Sequence, residues 1–205
     1  MKFPNRIAAI GGHVMFDDDQ QTPNVLNVAY EFDMPDGKKR LLEFEVRHWI
    51  TNHEAGIGTP EFGKGDVAPA LGNAAESRRG RGPQNTIGNI IYGSKGYLAI
   101  GGYGSYRTWL GEEQEPGPYA EGEGNNWANF IDCVRSRKKE ALNAPIEEGY
   151  ISCTLLHLGN ASYRVGRTLQ FDPEKQEVIG DAEAARILRD ADRGYRAPYV
   201  VPENV

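Results

Sequence analysis

A regular apolar repeat between Asn143 and Arg167 constrains the fold of this chain more than any other feature. The repeat alternates between steps of four and three residues, through Ile151, Leu155, Leu158, Ser162, Val165 and Leu169. On a helix of about 3.6 residues per turn, this spacing gives one continuous buried stripe. Pro145 suits the first turn, and the following acidic pair suits the positive end of the helix dipole. The sequence therefore predicts a long helix with one side in the core.

A second line of residues on the same helix is polar. Cys153, His157, Asn160 and Arg164 recur at helical spacing on roughly the opposite face. Such a line is most simply a solvated or subunit-contacting surface, and the alternative is a surface that contacts a ligand. The spacing alone leaves both interpretations open.

A β-hairpin is predicted between Asn24 and Trp49. Its first half alternates apolar and polar residues, the turn contains Pro35, Asp36 and Gly37, and its second half alternates again. The hairpin ends in Arg47, His48 and Trp49, residue types that bind sugars or anions. His48 lies on the apolar face of its strand and is interpreted as a core residue.

The remaining elements indicate an α+β domain. Arg6 to Ile10 suits a buried first strand, Asn89–Tyr92 and Tyr97–Ile100 suit a second hairpin, and helices are predicted from Trp127 and after Asp181. Strands followed by helices, with hairpin links, predict an open, mostly antiparallel β-sheet with helices packed on one face. A length of 205 residues fits a single domain over residues 1–205.

Composition restricts the partners. A net charge of −6 and a pI near 5.3 argue against nucleic acid and anionic membranes, because tracking phosphates requires a basic excess. We expect buried thiols at Cys133 and Cys153, and the absence of a signal peptide or apolar span at the N-terminus favours the cytoplasm. The acidic run Asp17–Asp19 lacks a ligand spacing, so we expect no metal.

No catalytic motif is evident. The glycine clusters lack the GxGxxG spacing that holds a dinucleotide in a βαβ unit, so no cofactor-binding residue is assigned. No nucleophile elbow or phosphate-binding loop is found either, and no catalytic residue is assigned.

Several segments carry a family resemblance: EFEVRHW, NIIYGSKGYLAI, NWANFIDCVRSRK and HLGNASYRVGR. They resemble the C-terminal domain of the glucose-fructose oxidoreductase / inositol dehydrogenase (Gfo/Idh/MocA) family, in the bacterial subgroup typical of planctomycetes and Bacteroidetes. Family members are two-domain NAD(P)-dependent oxidoreductases of sugars and cyclitols. Their N-terminal Rossmann domain holds the nucleotide and a catalytic lysine. Their C-terminal domain carries an open sheet that covers the substrate and usually mediates oligomerisation.

The resemblance implies a substrate-binding and oligomerisation domain. The chain lacks the Rossmann half and the Glu-Lys-Pro motif, so we expect that it cannot transfer hydride by itself and that NAD(P) belongs only to a full-length relative. We expect a homo-oligomer formed through the sheet and a sugar or keto-sugar ligand. Two alternatives remain: a free-standing carbohydrate-binding or scaffold module, and a subunit that pairs in trans with a Rossmann protein.

The resemblance also selects candidate substrate-binding residues. His157, Asn160 and Arg164 on the long helix become candidates for a substrate cleft or a subunit contact, and Arg47 and Trp49 are weaker candidates.

Overall fold

The computed structural model describes residues 2–47, 54–57, 87–101, 104–122 and 124–189. The chain divides into two compact units. The first unit is Met1–His48 with Leu142–Val205, and the second is Trp49–Ala141. The predicted single domain stays a prediction.

The described elements comprise strands and helices in the following chain order: β1 Arg6–Gly12, β2 Val25–Asp33, β3 Lys39–Arg47, β4 Gly88–Gly93, β5 Gly96–Gly101, β6 Ser105–Leu110, β7 Glu115–Glu121, α1 Asn126–Ser136, α2 Ile146–Val165, β8 Leu169–Asp172, β9 Glu177–Ile179 and α3 Ala182–Leu188. Short 3-10 turns lie at Glu54–Gly56 and Lys139–Ala141. The α+β class predicted from the sequence is confirmed.

The first unit contains an antiparallel sheet in the order β3-β2-β1-β8-β9. The predicted hairpin is confirmed as β2 and β3, which pair from Val25↔Arg47 to Asp33↔Lys39. Gly37 has a φ of 76° in the connecting turn, a conformation that suits glycine. The long helix is confirmed as α2, and its chain reverses at Gly166, whose φ is 66°.

The second unit contains a separate antiparallel sheet in the order β4-β5-β6-β7. The sequence predicted one sheet, and the described strands form two. Each strand of this second sheet pairs with its neighbours in sequence, so among the described strands the sheet is a simple meander. The predicted helix is confirmed as α1, which begins at Asn126, one residue before Trp127, and is capped by Asn125, whose Oδ1 accepts a hydrogen bond from the Ala128 N–H at 2.9 Å.

The core of the first unit lies between its sheet and α2. Ile7, Tyr30 and Leu158 are almost fully buried there, and Leu169 and Ala184 extend the cluster. The predicted stripe is confirmed at Leu158 and Ser162, and the buried arc of α2 is wider than the stripe because Gly159 and Ala161 are also buried. The helix therefore covers one face of the sheet, which we call the inner face.

Two burial predictions were wrong. Strand β1 was expected to be buried, yet Ile10 is 75% exposed while Ile7 is 0% exposed. Helices pack on the inner face alone in this part of the structure, so alternate residues of β1 face outward. Cys153 was expected to be a buried thiol, but it is exposed because it lies on the side of α2 opposite the core, whereas Cys133 is buried as predicted.

Candidate functional site

Three contacts fix which side of α2 faces the sheet. The Tyr30 hydroxyl donates a hydrogen bond to the Leu155 carbonyl oxygen at 2.8 Å, and burial raises the pKa of Tyr30 to about 12. Gly159 permits this approach, because a Cβ at that position would lie 2.7 Å from the Tyr30 hydroxyl oxygen. Ser162 Oγ accepts from the Ala9 N–H at 3.1 Å, where β8 no longer pairs with β1. The opposite side of α2 is thereby held away from the core.

The side of α2 that faces away from the sheet carries Cys153, His157, Asn160 and Arg164, which we call the polar face. His157 and Arg164 are exposed, and Asn160 is half-buried. Arg164 Nε donates to Asn160 Oδ1 at 3.0 Å, so the guanidinium is held along the helix. The predicted helical alignment is confirmed. An imidazole, an amide and a guanidinium in one row can hydrogen-bond hydroxyl, carbonyl or carboxylate groups. Their role in substrate binding stays a prediction.

Arg47 lies apart from the polar face. It ends β3 on the outer face of the sheet, by alternation from the inner-facing Phe44, and its Nε is 3.1 Å from Glu45 Oε1. The structure therefore brings together His157, Asn160 and Arg164 and separates Arg47 from them. Trp49 lies outside the described residues, as does His48, which was interpreted as a core residue.

The outer face of the first sheet, which we call the open face, is a second candidate surface. Its exposed apolar side chains include Ile10 and Leu41, of which Leu41 is 64% exposed. At one end, Glu31 binds Arg6 at 2.8 Å and Lys39 at 2.5 Å. The hydrogen bond from Lys39 is the main cause that lowers the pKa of Glu31. The open face thus combines uncovered apolar groups with a paired charge cluster.

Ile10 and Leu41 were not predicted from the sequence as functional residues. The sequence does contain a signal for them. In a strand with one solvated face, every second residue is usually polar, yet Ile10 and Leu41 are apolar at such positions. In β1 the unbroken run Ile7–Ile10 is apolar on both faces. Such a run is typical of a strand that is covered on both faces.

The described residues show neither a metal-binding cluster nor a membrane-spanning helix. Among the residues that the structure describes, no group of three or more His, Cys, Asp or Glu side chains is arranged to hold a metal ion. None of the described helices is long and apolar enough to cross a membrane.

Comparison with known proteins adds a family match. Residues 106–200 match the Gfo/Idh/MocA model described as the C-terminal alpha/beta domain of the oxidoreductase family. The match starts within β6, includes all of α2 with its polar face, and indicates an oxidoreductase-family C-terminal domain. Searches of the curated proteins and of the solved structures found no match.

The family resemblance implies NAD(P) only for a full-length relative, and the described residues do not fit that cofactor. A dinucleotide cradle places a pyrophosphate at a helix N-terminus after a strand of a parallel βαβ unit. All strand pairs in the described part of the chain are antiparallel. The first turn of α2 carries Glu147 and Glu148, which repel phosphate. No step of a reaction is therefore assigned to this part of the chain.

Proposed function

We propose that this chain is the substrate-binding and oligomerisation domain of an NAD(P)-dependent sugar or cyclitol oxidoreductase of the Gfo/Idh/MocA type, without hydride-transfer activity of its own. The match over residues 106–200 carries the proposal. The same proposal includes the bacterial subgroup and a cytoplasmic location, both of which rest on the sequence alone.

The substrate-binding part of the proposal rests on the polar face of α2. Sugars and cyclitols present rows of hydroxyl groups, which hydrogen-bond best to side chains already held in place. Asn160 and Arg164 are mutually hydrogen-bonded, and His157 lies one turn before them. The polar face therefore offers a partly ordered row of donors and acceptors on a helix that the sheet holds rigidly.

The oligomerisation part rests on the open face. Exposed apolar side chains on a flat sheet are a common feature of subunit interfaces, and two copies related by a two-fold axis would bury Ile10 and Leu41 twice. Beside Leu41, Glu31 pairs with Arg6 and with Lys39, and Asp33 lies 3.4 Å from Lys39, so this cluster has two charges of each sign and burying it leaves no isolated charge.

The substrate-binding part is tested by isothermal titration calorimetry of the whole chain against a panel of sugars, cyclitols and keto-sugars. We expect at least one ligand to bind, and we expect His157→Ala to weaken its binding about tenfold. Ser152→Ala is the matched control, because Ser152 is exposed on α2 outside the polar face. If His157→Ala bound that ligand with unchanged affinity, the polar face would not be the substrate-binding surface.

The oligomerisation part is tested by sedimentation velocity. Leu41→Lys places a charge on the exposed apolar side chain that the edge strand β3 presents on the open face, and we expect it to reduce the mass of the wild-type assembly. Leu156→Lys is the control, because Leu156 is similarly exposed on α2. If the Leu41→Lys variant had the same mass as the wild type, the open face would be ruled out as the subunit interface.

Both alternative functions give distinct results in these experiments. A free-standing carbohydrate-binding module would bind a sugar without assembling through the open face, so Leu41→Lys would leave its mass unchanged. A subunit that pairs in trans with a Rossmann protein would gain NAD(P)-dependent turnover only when that protein is added.

A further inference from the structure

The described sheets end in four edge strands, and three of them carry features that discourage pairing with another strand. β3 carries charged side chains on both faces, including Arg40 and Glu45. β7 contains Pro116 and Pro118, which donate no hydrogen bond, and β9 is only 3 residues long. Charges, prolines and short length are the usual ways in which proteins protect a sheet edge.

The fourth edge, β4, has none of these features. Gly88–Gly93 contains no charged residue and no proline, and it spans 6 residues. Among the described strands it pairs only with β5. Ile91 is 57% exposed and Tyr92 is 78% exposed. An exposed, uncharged edge strand of this length presents unpaired backbone N–H and C=O groups beside apolar side chains, which favours the addition of a strand.

We infer that β4 pairs in antiparallel fashion with β4 of a second copy of this chain, across a two-fold axis. An antiparallel edge is self-complementary, because its alternating donors and acceptors meet the same pattern when the strand is reversed. The strand carries no charge, so two copies meet without repulsion. The two 4-stranded sheets would then form one continuous sheet of eight strands.

The interface formed by β4 alone is small. Six residues from each copy bury less area than a standard interface, so we expect a weak dimer, with a dissociation constant on the order of micromolar. This contact is separate from the open face, because β4 belongs to the other sheet. Association through β4 therefore does not depend on the proposed function.

The inference is tested by sedimentation velocity in a Leu41→Lys background, which removes association through the open face. We expect a dimer at micromolar concentrations and at least a tenfold weaker one when Ile91→Lys is added. Leu110→Lys is the matched control, since Leu110 is partly exposed on the same face of the same sheet but lies on the interior strand β6. A monomer at high micromolar concentration, or equal effects of the two lysines, would overturn the inference.

Cross-linking gives a second readout that does not depend on the strength of the dimer. In a Cys153→Ser background, where Cys133 is buried, Ile91→Cys supplies one accessible thiol per chain. We expect a short bismaleimide to link two copies through residue 91 but not through a cysteine introduced by Leu110→Cys. Equal linkage at both positions would contradict pairing at β4, and circular dichroism of each variant establishes that it is folded.

Discussion

The two sheets of this protein are stabilised in different ways. The sheet of the first unit is covered by α2, which buries Leu158 and Ser162 against Ile7 and Tyr30. In the second unit, the buried apolar cluster among the described residues is small and comprises Ile57, Ala99 and Trp109. Side-chain contacts between neighbouring strands contribute to the stability of this second sheet. Tyr97, for example, stacks on Trp109 with ring centroids 4.8 Å apart.

This difference separates two kinds of constraint on sequence. A helix that lies on a sheet requires particular volumes at positions far apart in the chain, such as Gly159 opposite Tyr30. A meander of neighbouring strands requires mainly local pairs and turns. Substitutions in the first unit should therefore cost more free energy of unfolding than comparable substitutions in the second.

The largest effect is expected for Leu158→Ala, which leaves a cavity under α2. Leu158 is 0% exposed, so we expect the free energy of unfolding to fall by about 2–5 kcal/mol, measured by chemical denaturation. Leu156→Ala is the control because Leu156 is 51% exposed, and its cost should be well under half of that. Similar costs for the two variants would mean that α2 does not cover the sheet as described.

A smaller loss is expected for Gly159→Val. Its Cβ would lie 2.7 Å from the Tyr30 hydroxyl oxygen and 3.1 Å from Val28 Cγ1, so the helix must move away from the sheet. Such overpacking costs about 1–3 kcal/mol. Gly149→Ala in the same helix meets no atom within 4 Å and should stabilise the protein by up to about 1 kcal/mol. A stabilising Gly159→Val would contradict the close approach of α2 to β2.

Tyr97→Leu probes the second unit in the same denaturation assay. It removes the aromatic stack on Trp109 but keeps an apolar side chain, so we expect a loss of about 0.5–1.5 kcal/mol. Tyr92→Leu should cost less, since Tyr92 is more exposed and its ring is tilted to that of Tyr97. A loss as large as that of Leu158→Ala would abolish the contrast between the two units.

The smallest effect is expected for Asp181→Asn and depends on pH. Arg167 donates to both Asp181 oxygens, at 2.7 and 2.8 Å, and this lowers the pKa of Asp181 to about 2. Because the folded pKa lies below the ordinary value of 3.8, the stabilisation is present above pH 4 and is lost as the pH falls towards 2. Asparagine keeps the helix cap but removes the ion pair, so the variant should lose less stability over that interval. Identical acid profiles would exclude this ion pair as a contributor.

Much of the fold follows from local sequence patterns. The apolar repeat of α2 and the alternation in β2 and β3 reflect helical and strand geometry that neighbouring residues determine by themselves. The division into two sheets did not follow, because a hairpin pattern specifies its own partner strand but not the sheet that it joins. Ile10 was misjudged for a related reason, since an apolar run does not reveal whether one or both faces are covered within one chain.

The candidate site was predictable only in part. His157, Asn160 and Arg164 share a face because helical spacing alone aligns them. Arg47 was grouped with them by residue type and family resemblance, and its position on the outer face depends on which side of the sheet α2 covers. Long-range packing determines which side of the sheet α2 covers, here through Gly159 against Tyr30 and through Ser162, which accepts a hydrogen bond from β1. Local sequence patterns do not reveal which side of the sheet is covered.

The most direct test of the proposed function is calorimetric titration of the whole chain with NAD(P)(H) and with the sugar panel under the same conditions. The account predicts saturable binding of a sugar, cyclitol or keto-sugar and no saturable binding of either nucleotide. Saturable nucleotide binding by this chain alone would contradict it.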